Sequence, residues 1–192
     1  MAQRLLRVAL VSSWCLLGVG CQAGTSVGTS TTGSTGGAGP AAPLEGQPVG
    51  GTPASGGLYA CPGDANDVLA GARQACVAAI NGFRKSVGVA ALQRDCSFTA
   101  CADAEAMGDA QKNMPHATFG ACKESAQNEC PGWPNPPGDH IGGCLQQMWN
   151  EGPGSDYAVH GHYTNMSNGA YTAVECGYFV DANGFWGVQN FR

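Results

Sequence analysis

The sequence predicts an α+β domain, with helices leading, a small antiparallel sheet at the end, and disulfides holding the parts together. Three observations predict it. Apolar residues recur at helical spacing between 64 and 113 and again between 139 and 151. The tail from 171 to 191 is rich in β-branched and aromatic residues split by a turn signal. Eight cysteines, an even set, lie within a segment that follows an export-type leader.

Residues 1–20 read as a secretory signal. Arg4 and Arg7 form a short basic start, and the apolar run from about Val8 to Val19 is too short to span a bilayer. The run ends Leu17-Gly18-Val19-Gly20-Cys21, which resembles a bacterial lipobox with Cys21 as the lipidated first residue. The expected product is an extracytoplasmic protein tied to the outer membrane by a lipid anchor. The leucine stands one place further from the cysteine than a lipobox has it, so free secretion after cleavage near Ala23 is the alternative. Residues 21–57 are almost wholly Gly, Ser, Thr, Ala and Pro and carry one charge, Glu45. Such a stretch has too little to bury and reads as a disordered linker, with a reach on the order of 35 Å. Residues 58–192 are long enough for one core.

Within the domain, Asp64 to Ser86 reads as a helix. Val68, Ala72, Cys76, Ala79, Ile80 and Phe83 form its inner face, Asp64 or Asn66 is its cap, and Gly88 stands past its end. Ser97 to Asn113 reads as a second helix, capped by Ser97 and stopped at Met114-Pro115. The stretch 120–138 is turn-rich and reads as loop, with a short strand in "SAQNE". Asp139 to Glu151 is a third helix, ended by Gly152-Pro153. "YTAVECGYFV" and "FWGVQNF" read as a hairpin, its turn at Asn183-Gly184.

Nine basic residues stand against fourteen acidic ones, and two of the nine, Arg4 and Arg7, belong to the leader. With no basic patch, nucleic acid is excluded as a partner. Cys61, Cys76, Cys96, Cys101, Cys122, Cys130, Cys144 and Cys176 read as four disulfides, because no C-x-x-C spacing favours structural zinc. Eight cysteines allow about a hundred connectivities. The pairing taken here joins Cys76 to Cys101, Cys122 to Cys130 and Cys144 to Cys176, which leaves Cys61 with Cys96.

Four histidines are present. In an extended segment His160 and His162 would face one side and could share a metal, although exposed polar residues near a loop are the more ordinary reading. Hydrolase, phosphate-loop and dinucleotide fingerprints are absent.

The ordered set "AINGFRKSVGVAAL", "ADAEAMGDAQKNMPH", "AQNE", "MWNEG", "GHYTNM", "VECGYF" and "WGVQNF" resembles the CAP superfamily of cysteine-rich secretory, antigen 5 and pathogenesis-related class 1 proteins, the SCP-like domain. Asn81, Arg84, Gly88 and Leu92 match its Asn-x-x-Arg-x-x-x-Gly-x-x-x-Leu helix at every spacing. The resemblance covers Val68 to Phe191 and implies an α-β-α sandwich with a cleft of two histidines and two acids. His116 and His162 match the histidines and Glu151 matches one acid, while Gln127 stands where the second acid belongs. His160 lies outside the pattern. Gln189 replaces a cysteine of the last strand and leaves Cys176 without its usual hairpin partner.

The resemblance implies an exported, non-enzymatic binding module. Its cleft of His116, Gln127, Glu151 and His162 would take a divalent metal such as zinc, held by His116 and His162, or a small lipid or peptide-like ligand. The alternatives are a metal-dependent hydrolase with Glu151 as general base, against which Gln127 argues, and a structural envelope protein with an inert cleft.

Overall fold

The computed structural model describes residues 57–192. The leader, Cys21 and nearly all of the linker lie outside the described residues. Four helices, α1 (Ala70–Ser86), α2 (Thr99–Lys112), α3 (Pro137–Trp149) and α4 (Tyr157–Ser167), accompany four strands, β1 (Gln93–Arg94), β2 (Ala126–Trp133), β3 (Ala173–Asp181) and β4 (Gly184–Phe191). Among the described residues no helix is long and apolar enough to cross a membrane.

The sheet order is β1-β3-β4-β2. β2, β4 and β3 are antiparallel, but β1 joins β3 in parallel, so the sheet is mixed rather than wholly antiparallel. Side chains alternate across each strand. Ala126 and Cys130 of β2, Val174, Cys176 and Tyr178 of β3, and Phe185 and Phe191 of β4 share the main core with Val77 and Ile80 of α1 and Leu145 of α3. Val188 and Phe179 project to the other face and pack with Ala102 and Ala106 of α2. The result is the α-β-α sandwich that the resemblance implied. Gly177 lets α2 lie close, because a Cβ there would meet the Ala102 main chain at 2.2 Å.

The Asn-x-x-Arg motif is architectural. Asn81 grips the Leu92 main chain on both sides, Nδ2 donating to Leu92 O and Oδ1 accepting from Leu92 N, each at 2.8 Å. The Arg84 guanidinium is fully buried without an acid; it donates to the carbonyls of Ala90, Met166 and Asn168 at 2.7–2.9 Å. Gly88 takes φ 75° at the helix end.

Several expectations need correction. α1 begins at Ala70 rather than Asp64; Asp64–Asn66 form a separate 3₁₀ turn and Val68 is 98% exposed. Ser97 does not cap α2, since its hydroxyl bonds Asp95. β2 runs on to Trp133 with a register shift after Cys130, through residues read as loop. The hairpin turn falls on 182–183, one residue earlier than expected. The "HGHYTNM" segment is helix α4 rather than an extended strand end.

All eight domain cysteines are paired, and Cys61–Cys96 stands as expected. The other three bridges are Cys76–Cys176, Cys101–Cys122 and Cys130–Cys144, with Cα separations of 5.8–6.5 Å. The pairing of Cys76 with Cys101 failed because α1 and α2 pack on opposite faces of the sheet, beyond disulfide reach. Cys176 faces Gln189 across the hairpin and bonds instead into α1.

Candidate functional site

The candidate site straddles β2. Gln127 and Glu129 project toward α2, whereas Asn128 projects toward α4. Gln127 Oε1 lies 2.8 Å from Nδ1 of His116. The amide is oriented from behind: its Nε2 donates to Glu105 Oε2 at 3.3 Å and to Asn190 Oδ1 at 3.0 Å. With both amide hydrogens committed inward, Oε1 must accept, and the network assigns the proton to His116 Nδ1. The Nε2 edge of the ring is then left for a ligand.

His116 sits at φ 59°, and its main-chain N–H donates to Glu129 Oε2 at 2.6 Å. The loop after it is held the same way. Asp109 accepts from Thr118 N and Oγ1, Glu105 from Cys122 N, and Glu124 from Gly120 N. Four buried carboxyl groups therefore latch the segment that carries His116. Burial pushes Glu129 up to about 7, and the charges of Asp109 and Glu105 add to the rise. Glu105 is raised by its own burial and by Glu124 beside it.

The second pair joins Glu151, in the turn after α3, to His162 of α4. His162 Nδ1 lies 2.5 Å from Glu151 Oε1. Glu151 Oε2 accepts from the main-chain N–H of His162 at 3.0 Å and of Tyr163 at 3.4 Å. α4 is kinked at His160, whose φ of −120° is not helical. Glu151 thus caps the helical turn that restarts after the kink. His160 does a different job: its Nδ1 faces the Glu151 and Gly152 carbonyls at 2.7 and 3.0 Å. It pins the end of α3, and Gly154 leaves room for its ring.

Asn128 ties β2 to α4. Its Nδ2 donates to His162 O at 3.1 Å, and its Oδ1 accepts from Asn165 Nδ2 at 2.9 Å. Asn165 Oδ1 in turn accepts from the Tyr157 hydroxyl at 3.0 Å.

His116 and Gln127 line a cleft of ≈370 Å³ whose wall also includes Tyr157, Thr164, Asn168 and Tyr171. Glu151 and His162 pair beside it and are not on that wall. The four anticipated residues therefore form two pairs, His116 with Gln127 and His162 with Glu151. A larger depression of ≈550 Å³, around Pro131, Asp181 and Trp186, contains neither imidazole.

The donor set does not form a closed zinc site. Among the described residues the one trio of metal-ligand side chains within ligating distance is Glu105, Cys122 and Glu124, and the Cys122 sulfur is bonded to Cys101. His116 and His162 offer two imidazole nitrogens, fewer than the three or four protein ligands of ordinary zinc centres.

Sequence reasoning missed Glu105, Asn128 and Glu129. The signal for Glu105 was present: Ala102, Glu105, Ala106 and Asp109 fall at i, i+3, i+4 and i+7, so the two acids share the inward face of α2.

A solved structure titled "Crystal Structure of Na-ASP-1" aligns over 63% of this chain and 38% of that one, with 17% identity and a TM-score of 0.48. No curated protein matches the sequence. The family model described as "CAP: Cysteine-rich secretory protein family" matches residues 77–191. That match takes in more than half of the 192 residues, and the chain belongs to the cysteine-rich secretory protein (CAP) family.

Proposed function

We propose that this is an exported binding module, not an enzyme, whose cleft between the 113–125 loop and α4 receives a ligand. The observation that carries the reading is the chain Glu105–Gln127–His116. A buried acid fixes an amide, the amide fixes a ring, and the ring lines the open cleft. Such pre-organisation lowers the ordering cost of binding. The four disulfides fit an oxidising, extracytoplasmic setting. In this reading the leader is removed and the linker tethers the domain to a bacterial outer membrane through lipidated Cys21.

The hydrolase alternative needs Glu151 as a free base. Both of its oxygens are already committed to the His162 ring and to the α4 main chain. A divalent ion such as zinc would have His116 and His162 as its protein ligands, oriented by Gln127 and Glu151, with its remaining positions left to water or ligand. That is a weak, open site.

Calorimetric titration of the full-length chain with zinc tests the metal part. The expected result is weak binding, lost in His162→Ala and in His116→Ala. His160→Ala should change it little, because that ring faces carbonyls. Equal loss in His160→Ala would put His160 in the site. Absence of any zinc binding would remove the metal and leave an uncharged ligand, or an inert envelope domain, as the reading.

A further inference from the structure

We propose that the cleft beside His116 is a subsite for a neutral saccharide. The inference rests on the reading of this cleft as a ligand site and names the class of ligand. No Asp, Glu, Lys or Arg lines the cleft. The acids nearby are buried behind Gln127 or committed to the main chain, so the wall presents amides, hydroxyls, one imidazole and aromatic rings.

The aromatic rings are placed as platforms. Tyr157 is 61% exposed and Phe119 is 50% exposed, both at the cleft. Tyr157 is held by its hydroxyl on Asn165, and Tyr171 is stacked on Phe191 with ring centroids 5.7 Å apart. Two of the three rings are therefore fixed before any ligand arrives, which limits the ordering cost. The same wall carries Thr164, Asn168 and His116, whose Nε2 is not used by Gln127.

A pyranose ring has the matching anatomy: C–H bonds on its faces, for aromatic rings, and hydroxyls around its edge, for amides and imidazole. The two rival occupants match less well. A wholly apolar chain would strip water from Thr164, Asn168 and His116 without replacing those hydrogen bonds. A peptide joining the sheet as an added strand needs an open edge. β2 is an edge strand, but α4 covers it here: Asn165 Nδ2 donates to the Gln127 carbonyl at 3.4 Å, and Asn128 is tied to the His162 carbonyl. What remains is recognition by side chains of an uncharged, hydroxyl-rich molecule.

The test is calorimetric titration of the full-length chain, disulfides formed, with cellopentaose and chitopentaose, and with oleate as the apolar probe. The expected result is saturable, millimolar-range binding of at least one oligosaccharide. Tyr157→Ala should weaken it about fivefold to tenfold, and Tyr157→Phe, which keeps the ring but releases it from Asn165, should weaken it less, about twofold to threefold. Tyr157 is largely exposed, and an unchanged melting temperature would show that both variants fold. Failure of both oligosaccharides to bind overturns the proposal, as does a Tyr157→Ala chain that binds like the parent. If oleate alone binds, the saccharide is wrong and the binding module stands. If no probe binds, zinc included, both readings fall.

Discussion

Gln127 carries two amide hydrogens, and both are spent on Glu105 and Asn190. The carboxyl group that the family pattern places on the strand is therefore found one layer deeper, on α2. Gln127→Glu would set a second carboxylate against buried Glu105 and remove a donor from it. We expect that variant to lose about 3 kcal/mol of stability near pH 8, and less near pH 5, where the pair can share a proton. Urea unfolding at both pH values reads the difference; a variant as stable as the parent at both would show that Glu105 does not govern this position. Arg84 makes the complementary case, a buried cation satisfied by carbonyls alone. Arg84→Met would leave the Ala90, Met166 and Asn168 carbonyls without this donor, with an expected cost of about 3 kcal/mol or more by the same measurement.

The contact between α2 and the sheet depends on small residues. Ala102 is fully buried, and the Gly177 position leaves no room for a Cβ. Gly177→Ala must push α2 away from β3, and with it the carboxyl latch on the His116 loop. The expected loss is about 3 kcal/mol, seen as a lower urea midpoint together with a weakened response of the cleft to ligand. A lost midpoint with the cleft response intact would uncouple the helix from the loop. Elements with strong periodicity were legible in the sequence: α1, α3 and the hairpin. α4 was not, because His160, Gly161 and His162 give no apolar stripe, and the turn after the kink is capped by Glu151, a residue from another element. β1 is two residues long, and its parallel partner lies 80 positions away, so no local pattern announces it. His116 and Gln127 could be singled out by motif. Their orientation could not, because it is set by Glu105 of α2 and Asn190 of β4, which join them only in the folded domain.

Across the whole molecule, disulfides and buried acids act in different ways. Cys76–Cys176 spans 100 positions and ties α1 to the central sheet. In the chain-entropy account its loss would cost about 4–5 kcal/mol, more than the shorter bridges. The buried acids set the pH dependence. Glu129 is raised to about 7, and Glu105 and Glu175 are also raised, burial being the largest cause in each. Each of these groups holds its proton in the folded state at pH values where the unfolded chain has released it. Stability from them is fully present below the ordinary carboxylate range, falls as pH rises, and for Glu129 is gone above about 7. Asp64 has the opposite sign. Its contacts with Cys61 N, Gln74 and Arg94 outweigh burial and lower it, so its contribution is lost only in stronger acid. The domain is therefore expected to be more stable near pH 5 than near pH 8, with Glu129 alone contributing up to about 3 kcal/mol to the difference. Glu129→Gln should flatten much of that slope, since an amide oxygen can still accept the His116 N–H while carrying no charge. A parent chain equally stable at both pH values would mean that Glu129 ionises without penalty. A Glu129→Gln chain that keeps the full slope would move the proton to Glu105 or Glu175.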